Sequence, residues 1–256
     1  MLPREHGAYG QLLFPLVTAL AIGHPGAAAL TLSAAAIFAF LAHEPLLVLL
    51  GQRGWRAAQE QRRRAWRALA AWTVAALACA ATAIALMPAA ARIGLTIPGG
   101  LAPVLGIVIA ARRERTTAGE ILTALTLSSL AYPVALAAQA PSRAAVTPAA
   151  VFATAFVVAT LSVRAVIMCT RRPPAALSRI VAGLALVVGM LGLATLWQLD
   201  LAAGVGVWAA LPACGVGFVL VLAPPSATRL RVVGWTLIAA TAATAIILIA
   251  SLRLSP

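Results

Sequence analysis

Long apolar segments separated by short, arginine-bearing connections dominate this sequence and restrict it to one class of fold. Of the 256 residues, 62% are hydrophobic and 10% are charged, and the mean hydropathy is +0.99. A helix needs about 20 apolar residues to cross about 30 Å of hydrocarbon, and a helix satisfies its own backbone hydrogen bonds within the bilayer. The sequence therefore predicts an all-α, polytopic helical membrane protein and not a soluble domain.

We expect about nine transmembrane helices in a single domain that covers residues 1–256. The predicted spans are 8–23, 28–50, 67–87, 96–111, 118–138, 147–169, 178–197, 204–223 and 231–252. The first and the fourth are short and contain Pro15 and Pro103. Because proline removes a helical hydrogen bond, we expect these two spans to be tilted, kinked or partly re-entrant.

The distribution of arginine predicts how the chain is oriented, because the chain has 19 basic residues and none of them is lysine. If the N-terminus is inside, fifteen arginines are cytosolic, and only Arg92, Arg143 and Arg253 lie outside. The positive-inside rule then favours an N-in, C-out topology in a bacterial cytoplasmic (inner) membrane. Basic loops attract anionic headgroups, so the net charge of +13 indicates membrane lipid as a partner and not nucleic acid.

Ionisable groups near the cytosolic ends of the spans form the candidate functional site. Five of the six acidic residues and two of the three histidines fall on this side: Glu5, Glu44, Glu60, Glu114, Glu120, His6 and His43. We predict Glu44 and His43 as catalytic residues if the protein is an enzyme. The predicted ligand-binding residues are Glu5, His6, Arg115, Glu120, Arg164, Arg62, Arg63 and Arg64.

Glu44 is expected about two turns inside the second span, where a carboxylate requires a cation or a proton. Arg164 and Arg115 are the expected partners, because they share its depth. Other roles stay open: Glu5 and Glu120 could complement helix dipoles, and His43 could bond a backbone carbonyl. No metal site is predicted, since the histidines and glutamates lack a short ligand spacing. The sequence indicates no particular cofactor or protein partner.

The connection 51–67 is the longest on the cytosolic side and carries Trp55, Trp66 and six arginines. Tryptophan favours the membrane interface, so an amphipathic helix lying on the inner leaflet is one interpretation. The alternative is an arginine-rich cap over a pocket, in which the guanidinium groups bind an anionic substrate.

Three stretches resemble the YwiC-like family of bacterial membrane proteins. The most specific is PREHGAYG at residues 3–10, which resembles the opening signature of that family. The stretch RERT at 113–116, which leads to Glu120, and Val163-Arg164 are similar to the same family. The resemblance implies a multi-pass membrane domain, and it specifies an architecture more readily than a reaction.

The layout also resembles the UbiA-type intramembrane prenyltransferases, which have nine helices, an internal N-terminus and cytosolic caps after the second and sixth helices. That resemblance implies aspartate-rich motifs that hold magnesium and an isoprenyl diphosphate. This chain has His43-Glu44 at the end of the second predicted helix, and Arg164, Arg171 and Arg172 at the end of the sixth and just after it. Neither place has an aspartate, so the oxygen ligands of a magnesium–diphosphate site are missing.

Three functions are compatible with this sequence. The first is binding of an amphipathic, anionic lipid or isoprenoid-type ligand at the cytosolic face, with an intramembrane transferase as the enzymatic form. The second is a small-molecule or ion transporter, although the last three spans carry few polar groups to continue a path outward. The third is a non-catalytic accessory or assembly subunit. We favour the first, because the polar residues collect near the arginine-rich connection.

The predicted topology can be tested with a reporter fused to the C-terminus. Alkaline phosphatase, which folds only outside the cytosol, should be active there, and green fluorescent protein should be dark. The opposite pair of results would contradict the N-in, C-out arrangement.

Overall fold

The computed structural model describes residues 6–171, 176–226 and 229–254, and within them the chain forms twelve helices and no strand. The helices are α1 (His6–Ala21), α2 (Ala27–Leu49), α3 (Trp55–Glu60), α4 (Arg62–Leu86), α5 (Ala89–Gly94), α6 (Thr96–Ala110), α7 (Thr117–Ser129), α8 (Ala131–Ala137), α9 (Ser142–Arg171), α10 (Ala176–Gln198), α11 (Val205–Leu222) and α12 (Leu230–Leu254).

Eight stretches in the described residues are long and apolar enough to cross a membrane, and α1 is a shorter apolar helix. Two of the eight are pairs of helices joined end to end, α5 with α6 and α7 with α8. These nine apolar units correspond to the nine predicted spans. The protein is therefore a multi-pass helical membrane protein.

The prediction that the fourth span is short was wrong, because α5 extends it back to Ala89. Arg92 interrupts the apolar pattern, so the sequence indicated that the fourth span begins only after this residue. In the structure its guanidinium donates hydrogen bonds to the carbonyls of Met87 and Ala85, which belong to the end of α4. The arginine thus satisfies carbonyl groups that a helix end leaves without partners.

Most of the connection 51–67 is helical, as the amphipathic-helix interpretation expected. The α3 helix occupies Trp55–Glu60, and α4 begins at Arg62. The three consecutive arginines therefore lie in the first turn of α4 and are exposed.

Most arginines in the described residues lie at one end of the bundle, which we call the arginine face. Here Gln52 donates to the carbonyl of Ile109 at 2.7 Å, and Arg112 donates to the carbonyl of Leu50 at 3.1 Å. These two bonds join the end of α2 to the end of α6. Likewise, Arg179 of α10 donates to Val221 at the end of α11.

The opposite face holds the other helix ends, including the last residues of α12. Arg253 donates to the carbonyl of Ala21 at the end of α1, and Arg143 pairs with Asp200. The start of α1 and the end of α12 thus lie on opposite faces, as expected if α1 crosses together with the eight longer spans of the described residues. Which face is cytosolic stays a prediction from the arginine distribution.

Two packed groups of helices divide the bundle. The α2 and α4 helices pack most extensively against each other, and Phe38 stacks on Trp72 between them. The second group is built around α9, which packs against α7, α10 and α11. The two groups meet at the opposite face, where α2 packs on α8 within an apolar cluster that includes Ala29, Met87 and Leu136.

Gly23 permits a close backbone contact at that junction. The amide of His24 donates to the carbonyl of Ala138 at 2.6 Å, and a Cβ at Gly23 would lie 2.3 Å from the same oxygen. The Gly23→Ala variant should therefore lose about 1–3 kcal/mol of stability. Thermal unfolding in detergent measures this, with Gly26→Ala as the control, because a Cβ at Gly26 meets no atom within 4 Å. Equal melting temperatures would contradict the contact.

Candidate functional site

A cavity of about 1680 Å³ lies between the two groups of helices. Its walls come from α1, α2, α4, α6, α7, α9 and α12. Charged side chains line its end near the arginine face, and apolar side chains such as Leu32, Leu95 and Leu130 line its other end. The cavity therefore has one polar end, which we call the mouth, and one apolar end.

The deepest charged group at the mouth is Glu44, which is only 5% exposed. Arg53 binds it with two hydrogen bonds, from Nε to Oε1 at 3.0 Å and from Nη2 to Oε2 at 2.6 Å. Such a bidentate pair is the strongest form of this interaction. The prediction that Arg164 or Arg115 neutralises Glu44 was wrong, because the turn at 50–54 folds back and brings Arg53 to it.

That turn depends on glycine. Gly51 and Gly54 have φ values of +70° and +96°, in the left-handed region that glycine adopts at little cost. The turn follows α2 immediately, and Arg53 lies nine residues after its partner in the sequence. This separation is too long for a helical neighbour pattern, so sequence spacing gave no signal for the pair.

Arg164 of α9 pairs with Glu120 of α7 instead. Its Nε lies 2.6 Å from Oε2 of Glu120, and its Nη2 donates to the carbonyl of Arg115 at 2.6 Å. The side chains are 30% and 39% exposed, so this pair is better solvated than the one at Glu44. Glu120 also lies in the first turn of α7, where its charge complements the helix dipole.

His43 contacts Glu114, with 3.2 Å between Nε2 and Oε2. Glu114 lies in the connection from α6 to α7, and Gly119 allows this connection to fold against the start of α7. A Cβ at Gly119 would lie 2.4 Å from the carbonyl oxygen of Arg113 and 2.7 Å from that of Glu114. The α2 helix is thereby linked to α7 through a histidine–carboxylate pair.

Arg231 is a mouth residue that sequence reasoning missed. It lines the cavity from the first turn of α12, and Trp235 lines it one turn further along. Among the described residues, Arg231 has no hydrogen bond or ion pair with another side chain. The only signal in the sequence was its position at the start of the last apolar span, and many other arginines also lie near the start of a span.

The structure brings together half of the predicted site, since five of the ten predicted residues line the cavity: His43, Glu44, Arg115, Glu120 and Arg164. Arg62, Arg63 and Arg64 are exposed at the start of α4 and are not among its lining residues. Glu5 and the side chain of His6 lie outside the described residues, although Gly7 and Ala8 line the mouth. No group of three or more potential metal ligands occurs in the described part of the chain.

These features define a multi-pass membrane protein with an internal cavity that is charged at one end and apolar at the other. A family model described as YwiC-like protein matches residues 2–135, which is more than half of the chain. The chain therefore belongs to the YwiC-like family. The matched region includes Glu44, Arg53, Glu114 and Glu120, whereas Arg164 and Arg231 follow it. No curated protein and no solved structure matches the chain, so the UbiA-like layout stays a prediction.

The two ion pairs should differ in their effect on stability. Arg53→Met leaves the buried carboxylate of Glu44 without its partner and should cost about 3–5 kcal/mol. The double variant Glu44→Leu/Arg53→Met should recover much of that loss. Arg164→Met, in the better solvated pair, should cost about 1 kcal/mol or less.

Thermal unfolding of the four proteins, including the unaltered chain, measures this order. A double variant that is as unstable as Arg53→Met would mean that the Glu44–Arg53 pair contributes more than mutual neutralisation. A larger loss from Arg164→Met than from Arg53→Met would contradict the burial argument.

Proposed function

We propose that this protein binds an amphipathic ligand with an anionic head group, of lipid or isoprenoid type, in the central cavity. The head group would lie at the mouth, and the apolar part would extend toward Leu95 and Leu130. The observation that supports this most is the gradient within one cavity, from ion pairs at the arginine face to apolar side chains near the opposite face. We place the protein in the cytoplasmic membrane, with the mouth toward the cytosol.

The charges at the mouth favour an anion. The described lining residues include four arginines and three glutamates: Arg53, Arg115, Arg164, Arg231, Glu44, Glu114 and Glu120. Glu44 and Glu120 are each held by an arginine, and Glu114 contacts His43. Arg231 thus offers a guanidinium whose donors are not used by a described carboxylate. Guanidinium groups bind phosphate and carboxylate oxygens with directed hydrogen bonds.

The apolar part of the cavity can hold a long chain. One face of α6 lines it from Ile109 to Leu95, which is about 21 Å at 1.5 Å per residue. Burying hydrocarbon contributes about 0.8 kcal/mol per methylene group relative to water. A hydrocarbon chain that is already in a bilayer gains little of this free energy. The polar contacts at the mouth would therefore determine which lipid is selected.

An intramembrane transferase is the enzymatic form of this proposal, with His43 as the general base. The contact with Glu114 would orient the imidazole, as a carboxylate partner does for other histidine bases. Both oxygens of Glu44 are engaged by hydrogen bonds from Arg53, so we do not assign Glu44 as the base. We therefore assign Glu44 a positioning role, in which it holds Arg53 at the mouth.

The transporter hypothesis receives less support. The lining of the cavity ends near Ile84, Leu95 and Leu130. Beyond them lies the apolar cluster with Ala29, Met87 and Leu136, in which Ala137 and Ala138 are also buried. A path across the membrane would require this packing to separate.

Binding of hexadecyl phosphate to the purified protein in non-ionic detergent tests the proposal. A scintillation proximity assay should show saturable binding that hexadecanol displaces poorly, because hexadecanol lacks the anionic head. Arg231→Gln should weaken binding by about tenfold or more, as loss of a charged hydrogen bond worth about 1.5–3 kcal/mol implies.

Arg229→Gln is the matched control. Arg229 carries the same charge close to the start of α12, is exposed, and is not a lining residue. Its removal should change affinity less than twofold. Equal losses in the two variants would reduce the effect to general surface charge, and absence of saturable binding in the unaltered protein would overturn the proposal.

A further inference from the structure

The α4 and α6 helices line the same cavity but leave a gap between them. Leu69, Thr73, Ala80 and Ile84 of α4 contribute to one wall, and a whole face of α6 contributes to another. Along their described lengths, Arg62–Leu86 and Thr96–Ala110, the two helices form no packed interface with each other. This is unusual for helices that follow each other closely in the chain, which normally pack as antiparallel neighbours.

Contacts at both ends hold this gap open. The α4 helix packs on α2, and α6 packs on α7, so each helix belongs to a different packed group. At the opposite face, α5 is inserted between them and packs on α8. At the arginine face, the bonds from Gln52 and Arg112 fix the end of α6 to the end of α2. The gap is therefore a slot that is closed at both ends and open along its length.

Small residues form the edge of the slot on α6. Gly99, Ala102 and Gly106 line the cavity at helical spacing and are exposed. A Cβ at either glycine would meet no atom within 4 Å. On the other edge, Thr73 and Ile84 are lining residues that are also exposed. The slot thus connects the cavity to the surroundings through space that no side chain of the described residues fills.

The slot faces the hydrocarbon of the bilayer. Both helices carry apolar side chains on their outer surfaces: Val74 (65% exposed) and Leu77 (64%) on α4, and Ile107 (69%) on α6. In a membrane-spanning segment such side chains contact lipid. An opening between them leads into the acyl chains and not into water.

We infer that this slot is the entrance of the site, through which the ligand passes sideways from the bilayer into the cavity. This inference rests on the proposed function, and it restricts the ligand to a membrane-resident amphiphile whose chain stays in hydrocarbon throughout. The head group follows the arginine face while the chain slides between α4 and α6. A water-soluble anion would instead reach the mouth directly from the aqueous side and would not pass through the slot.

Substitutions at the α6 glycines test the entrance without touching the mouth. Gly99→Leu and Gly99→Trp place a side chain of increasing size in the slot. Gly100→Leu and Gly100→Trp are the matched controls, because Gly100 is equally exposed, meets no atom within 4 Å of a Cβ, and is not a lining residue. The probe is hexadecyl phosphate carried in phosphatidylcholine vesicles that contain the protein.

If the slot is the entrance, association and dissociation rates of hexadecyl phosphate should both fall as the residue at 99 grows. We expect at least a tenfold decrease for Trp and a smaller one for Leu, with less than twofold change in either Gly100 variant. Because a barrier slows both directions, the dissociation constant of the Leu variant should change much less than its rates.

The other outcomes distinguish a failure of lateral entry from a failure of the proposed binding site. Unchanged rates in both Gly99 variants, with normal affinity for hexadecyl phosphate, would overturn lateral entry and leave the proposed function standing. If Gly99→Trp also lowers affinity by filling the cavity, the rates of Gly99→Leu decide. Absence of binding by the unaltered protein would be a failure of the proposed function itself.

Discussion

The ion pair between Glu44 and Arg53 is the interaction on which the arginine face depends. A carboxylate that is 5% exposed within an apolar helix must be neutralised, because an unpaired charge there is far more costly than the pair. Arg53 reaches it only if the chain reverses directly after α2, which the glycines at 51 and 54 permit. The same reversal places Gln52 against the end of α6. One buried charge thereby sets the geometry of the mouth.

The other mouth contacts follow the same principle across different elements. Glu120 and Arg164 join α7 to α9, and His43 and Glu114 join α2 to the connection before α7. Since each glutamate that lines the cavity pairs with a residue outside its own helix or connection, the mouth is held together by polar contacts. The opposite face is held by apolar packing in a cluster around Met87 and Leu136. The cavity lies between the polar contacts at the mouth and the apolar cluster at the opposite face.

Much of the architecture could be predicted from the sequence, because apolar run length and arginine position report directly on membrane crossing. For the same reason, the sequence predicted that His43, Glu44, Glu120 and Arg164 lie at a similar depth near one face of the membrane. The partners of these residues were not predicted, because pairing depends on the backbone reversal at Gly51 and on the close packing of the connection 111–116 against Gly119, and neither leaves a periodic signal. The start of α5 was missed for a local reason, since Arg92 serves as a helix cap and the sequence shows it only as a charge. The position of Arg231 at the mouth could not be predicted, because it depends on the packing of α12 against α1 and α9.

We propose that the cavity holds an anionic amphiphile with its head at the arginines of the mouth. Native mass spectrometry of the protein released from its own membrane tests this most directly. We expect a retained molecule of lipid mass with an anionic head, present in the unaltered protein and in Arg229→Gln, and depleted in Arg231→Gln. A protein that carries no such molecule, or that retains it equally in all three forms, would contradict the claim.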